Sequence, residues 1–133
     1  MNTELIAETW GAIEDPMAFV ESFYARFFER FPAYRRLFPQ QLDPKHLDKM
    51  VQTMALVARM SEDRSLVAPH VHKLGAAHKP YALEPKDLAN FKAVFVEMLG
   101  SRLGPAWSSA AAQAWDQAFE EVIIPLMREG GGG

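Results

Sequence analysis

No cysteine occurs anywhere in the 133 residues. That single absence excludes disulfides, thiolate metal sites, iron–sulfur clusters and covalent cofactor attachment through C-x-x-C-H, and it leaves no need for an oxidising compartment. No run of about eighteen apolar residues is present, so no segment is expected to cross a membrane. The first residues, Met1-Asn2-Thr3-Glu4, are acidic and lead into an amphipathic stretch, not the basic-then-apolar pattern of a secretory signal, and a cytoplasmic location is expected. Lysine and arginine are scattered along a chain of net charge −3, without the basic stripe that phosphates would follow, which sets nucleic acid aside as a partner. Alternating strand patterns, internal repeats and domain linkers are also missing.

What is present is helical periodicity punctuated by proline. Leu5, Ile6, Thr9, Trp10 and Ile13 keep a three-four rhythm, and Asp15-Pro16 then reads as an N-cap with proline in the first turn. Phe19, Val20, Phe23, Phe27 and Phe31 line one face of a second helix. Pro32 opens a short new turn running to Leu37-Phe38, and Pro39 to Asp43 is a link. Asp43-Pro44 repeats the cap-plus-proline signal for a helix with Leu47, Met50, Val51, Met54 and Val57 inside. After a polar break at Ser61 to Ser65, a segment from Leu66 to Lys79 is closed by Pro80. Glu84-Pro85 starts a helix carrying Leu88, Phe91, Phe95, Met98 and Leu99 that ends at Gly104-Pro105, and a last helix bears Ala111, Trp115, Phe119, Val122, Ile123 and Leu126. The expected fold is all-α, about six long helices and one short one in a single domain over 1–129, followed by a glycine tail at 130–133.

Chemistry at neutral pH rests on four histidines, His46, His70, His72 and His78. His70 and His72 are two apart and would not face each other on a helix, so both read as surface residues. His78 differs in its setting, Leu74-Gly75-Ala76-Ala77-His78-Lys79-Pro80-Tyr81. Small residues in the preceding turn leave room for something flat and large. At helical spacing its Nδ1–H reaches the Leu74 carbonyl, freeing Nε2 as a lone-pair donor. Taken alone, this pattern leaves a ligand and a structural histidine equally open. No serine sits in a nucleophile-elbow context, and Glu120-Glu121 reads as a solvated helix face.

Beyond these local patterns, the chain from about residue 3 to 127 resembles the globin family, in particular bacterial single-domain globins and the globin domain of flavohaemoglobins. Phe23-Tyr24 is followed eight residues after the tyrosine by Pro32 and fourteen after it by Phe38, as in the family's B-helix tyrosine, C-helix proline and haem-stacking phenylalanine. Leu74-Gly75-x-x-His78-x-x-Tyr81 looks like the proximal stretch, and Ala114-Trp115-x-x-Ala118-Phe119 like the H helix. The resemblance implies a globin fold with helices A, B, C, E, F, G and H and no D helix, and non-covalent haem b with His78 as proximal iron ligand.

It further implies a pocket lined by Phe38, Met50, Leu74 and Tyr81, with Tyr24 donating a hydrogen bond to the bound gas. His46 falls at the distal position, as a second distal residue or a sixth iron ligand, and Lys49 falls where it can meet a haem propionate. Read without the resemblance, Phe38 and Tyr24 are aromatics of a phenylalanine-rich core, and His46 and Lys49 are solvated helix residues.

The function implied is reversible binding of oxygen, CO and NO. Alternatives are nitric oxide dioxygenation with a separate reductase, a six-coordinate His46/His78 redox or sensing globin, and a haem-free interaction module. Two features depart from flavohaemoglobins. The tenth residue after His78 is Leu88 where they carry tyrosine, and Gly130 stands where their last helix carries glutamate. The proximal histidine is therefore expected to be less anionic. No flavin or nicotinamide motif accompanies the domain.

Overall fold

A computed structural model of the chain describes residues 2–38, 42–60 and 63–131. It is helical throughout, and no strand occurs among the described residues. Among the described residues seven α-helices follow one another: α1 (Thr3–Gly11), α2 (Pro16–Arg30), α3 (Pro44–Met60), α4 (Arg64–Ala77), α5 (Pro85–Leu103), α6 (Ser109–Ala118) and α7 (Ile124–Gly130). Short 3-10 turns at Pro32–Leu37, Lys79–Tyr81 and Gly104–Ala106 join them, and a π-helical segment, Phe119–Ile123, connects α6 to α7.

The caps follow sequence chemistry. The Asp15 carboxylate accepts from Ala18 N at 3.1 Å with Pro16 as the first helical residue, where its missing N–H costs nothing. Asp43 accepts from Lys45 N at 2.9 Å. Glu84 and Asp87 form a reciprocal capping box, with Glu84 N donating to Asp87 Oδ2 at 2.8 Å. Gly104 ends α5 with φ +51°, a conformation that glycine adopts without the Cβ clash other residues meet.

Three expectations change. The fourth helix starts at Arg64 instead of Leu66, because the Asp63 side chain accepts from both Ser65 N and Ser65 Oγ and so fixes a first turn two residues earlier. Of the expected polar break, Ser61 and Glu62 lie outside the described residues, as do Pro39 to Gln41 of the earlier link. The expected single last helix is α6, a π turn and α7. Pro125 has no N–H to give the Glu121 carbonyl, and the wider turn relieves the clash of its ring with that carbonyl. Gly130, assigned by sequence to the tail, is the last residue of α7, while Gly132 and Gly133 lie outside the described residues.

α1 packs against α3 and α3 against α4, α2 packs against both α3 and α5, and α4 packs against α7. Between them sits an aromatic core. Phe95 is met edge-on by Phe19 at 5.5 Å and tilted by Trp115 at 5.7 Å, with Phe23 and Phe119 each 5.5 Å away. Phe19, Phe23, Phe95, Trp115 and Phe119 are all essentially inaccessible to solvent. Each such side chain contributes about 1.5–3 kcal/mol on burial, with a further increment from edge-to-face geometry. The indole N–H this buries is satisfied, since Trp115 Nε1 donates to Thr9 Oγ1 at 2.8 Å and that hydroxyl donates in turn to Leu5 O at 2.7 Å.

Candidate haem site

The α4–α7 contact sets one wall of the site, and two glycines make it possible. A Cβ on Gly75 would stand 2.3 Å from the Met127 carbonyl oxygen, and one on Gly130 would stand 2.2 Å from that of His72. The helices therefore touch backbone to backbone. His78 caps α4 at the end of this crossing. Its backbone N–H reaches Leu74 O and Gly75 O, and its ring Nδ1 donates to Leu74 O at 2.8 Å. A carbonyl only accepts, so Nδ1 carries a hydrogen, and Nε2 is the nitrogen left to offer a lone pair to a metal.

His78 lines a cavity of about 400 Å³, within the range of about 300–1,000 Å³ typical of cofactor sites. Its walls are mainly apolar, from Phe27, Met54, Val71, Phe91 and Ile123 among others. Tyr24, Phe38, His46, Lys49, Met50, Leu74, His78 and Tyr81, drawn from four separate stretches of sequence, all open onto this one space. Tyr24 comes from the middle of α2 and is only 5% exposed. Its hydroxyl lies 3.1 Å from His46 Nε2 in the first turn of α3. Phe38 completes a trio, with its ring 5.5 Å from that of Tyr24 and edge-on to His46 at 5.7 Å.

Burial raises the Tyr24 phenol far above its ordinary value, so it remains a neutral O–H donor. His46, exposed on its outer side, has its imidazole shifted downward by partial burial, and the positive charge of Lys49 acts in the same direction. Tyr81 stays half exposed at the rim, its ring 6.1 Å from that of His78.

A smaller cavity of about 180 Å³ adjoins His78 on the side of Leu83, Leu88 and Met127. Leu88 thus lies near His78, at the place where flavohaemoglobins are expected to carry tyrosine. The Glu129 carboxylate lies 2.8 Å from His72 Nε2 on the surface. Among the described residues the His78 ring hydrogen-bonds to Leu74 O alone. His70 and His72 do not pair with each other; His70 Nε2 lies 3.4 Å from Thr53 Oγ1. No cluster of three or more metal-ligating side chains occurs among the described residues.

One polar group in the wall escapes sequence reasoning. Tyr34 stacks on Phe27 at 4.9 Å, donates to Asp87 Oδ1 at 2.5 Å and accepts from Asn90 Nδ2 at 3.0 Å. Burial and the carboxylate together raise the Tyr34 phenol. Asp87 is legible in sequence only as the third residue of a helix with a capping box; its partner lies 53 residues away.

The residues fit a haem: an imidazole whose Nε2 faces no other hydrogen-bond partner among the described residues, a broad apolar cavity, and the Tyr24–His46 pair lining the same space. A family model for globins matches residues 21–126, from α2 to within α7. With the globin topology of its helices and this extent of match, the chain belongs to the globin family.

Proposed function

We propose that this globin, of the bacterial single-domain type, holds haem b non-covalently through His78 Nε2 and takes up oxygen, CO and NO reversibly on the side of Tyr24. The observation that carries this reading is the His78 ring. It lines the apolar cavity while its Nδ1–H is tied to Leu74 O at 2.8 Å, which fixes the ring and leaves Nε2 to serve as the metal donor. Haem supplies a ferrous iron able to bind a diatomic gas reversibly. The protein's residues determine how well. Leu74, Met50 and Phe38 exclude water from the cavity, and Phe38 offers a ring to stack on the macrocycle. Lys49 and Tyr81, at the exposed edge, are the residues we assign to its carboxylates. Tyr24 supplies a hydroxyl hydrogen to a partly negative ligand from a buried position where that hydrogen bond is strongest.

Nitric oxide dioxygenation uses the same site but needs electrons from a separate reductase. Among the described residues the His78 ring bonds to the Leu74 carbonyl and not to a carboxylate, and Leu88 lies beside it, which favours gas binding over sustained turnover. The test is an absorption spectrum of the purified protein with added haem, ferric and then reduced, with and without CO. A Soret band that shifts on CO is expected. No Soret band after haem addition overturns the proposal and leaves a helical interaction module.

A further inference from the structure

We infer that the Tyr24 hydroxyl is a lock that keeps His46 from becoming an iron ligand, so that the gas-binding position stays open. This rests on the haem reading above and concerns the regulation of the same site. The Tyr24 oxygen and His46 Nε2 are 3.1 Å apart. Two assignments of the hydrogen satisfy that distance. Either the phenol donates to Nε2, whose lone pair is then occupied, or Nε2–H donates to the phenol oxygen, and Nε2 has no lone pair. In both, Nε2 cannot bind a metal while the contact lasts.

Two further features hold the ring in place. Phe38 meets the imidazole edge-on at 5.7 Å and 85°, and the Tyr24 ring lies 5.7 Å from it. Phe38 itself is pinned by Phe28 at 5.0 Å. Withdrawing His46 would take its partner from the hydroxyl of Tyr24, a buried residue. A buried donor left unmade is disfavoured far more than an exposed one. A gas that accepts a hydrogen bond replaces His46 as the partner of Tyr24, so the lock opens toward ligand and not toward the iron.

The experiment compares the haem-loaded wild type with Tyr24→Phe, His46→Ala and the double variant. The readout is the ligand-free ferrous absorption spectrum, together with ¹⁵N NMR of the His46 ring in the haem-free protein. Wild type is expected to show one broad visible band. Tyr24→Phe should give sharp split bands as the ratio of six- to five-coordinate protein rises roughly tenfold, and the double variant should return to the broad band. In the haem-free protein, Tyr24→Phe should move the His46 Nε2 resonance.

A broad band unchanged in Tyr24→Phe overturns the lock. So do split bands already present in wild type and lost in His46→Ala, or split bands that survive in the double variant. An absent Soret band in all four proteins sinks the haem reading, and this inference with it, whatever the NMR shows of the hydrogen bond.

Discussion

Replacing Gly75 by alanine puts a methyl group where α4 and α7 meet backbone to backbone. The added carbon would lie 2.3 Å from the Met127 carbonyl oxygen, with the Met127 carbonyl carbon and Cα at 3.0 and 3.1 Å. Ordinary contact requires more than 3 Å, so the two helices must part by about 1 Å, and the obstacle is main chain that cannot swing aside as a side-chain tip can. Overpacking of this kind costs about 1–3 kcal/mol, against a gain of about 0.5–1 kcal/mol from replacing a helical glycine by alanine. The net loss is about 1–2 kcal/mol, a fall in melting temperature of roughly 5 °C for a domain of this size.

The shift also reaches the site, because the Gly75 carbonyl accepts the backbone N–H of His78 at 3.1 Å. Haem transfer to an apoprotein acceptor should therefore speed up in parallel with the loss of stability. Gly11→Ala serves as the control, since nothing lies within 4 Å of a Cβ there, and it should be neutral or slightly stabilising. Thermal unfolding followed by circular dichroism checks both. A Gly75→Ala protein as stable as Gly11→Ala would refute the close crossing and the anchoring of His78 that follows from it.

Further outcomes are expected elsewhere in the molecule. Tyr24→Phe should speed oxygen dissociation roughly tenfold to a hundredfold, the equivalent of about 1–3 kcal/mol for a hydrogen bond to a partly charged ligand, as read by stopped-flow displacement with CO. An unchanged rate would show that Tyr24 does not face the gas. His78→Gly should release haem readily, with added imidazole restoring the Soret spectrum; full retention without imidazole would remove His78 as the ligand. Thr9→Val should cost about 1–3 kcal/mol in denaturant unfolding, because the buried Trp115 N–H loses its acceptor. Tyr34 has its phenol raised by burial and by Asp87, so the stability it confers is present below about pH 10 and is lost as pH rises through its folded value. Urea titrations above pH 10 should accordingly fall less steeply for Tyr34→Phe than for wild type.

Much of this arrangement could be read from the chain, for identifiable physical reasons. Proline and its capping partners act over a few residues, so Asp15-Pro16, Asp43-Pro44 and Glu84-Pro85 mark helix starts that the structure keeps. The Nδ1–Leu74 bond follows from helical spacing alone. What sequence could not supply depends on pairs far apart. The Tyr34–Asp87 bond spans 53 residues and Tyr24–His46 spans 22, and neither has a local signature. The seats of Gly75 and Gly130 are likewise invisible, because a glycine that permits a close crossing looks in sequence like one that ends a helix or begins a tail. Asp63 shifted the start of α4 through a side-chain cap that the surrounding polar run concealed.

The π segment at Phe119–Ile123 makes the end of the chain a shaft with an offset. A turn that takes up one extra residue rotates everything after it by about 100° relative to what precedes it. Ala111, Ala114, Trp115 and Ala118 face the aromatic core, while beyond the offset Met127 and Gly130 come round to α4. Drawing that segment into a regular α-helical ladder with every residue kept would leave the composition of the last helix untouched and still turn its final turns away from α4. The angular phase of the C-terminal turns, set where Pro125 interrupts the hydrogen-bond ladder, is thus part of what keeps His78 in position at the other end of the contact.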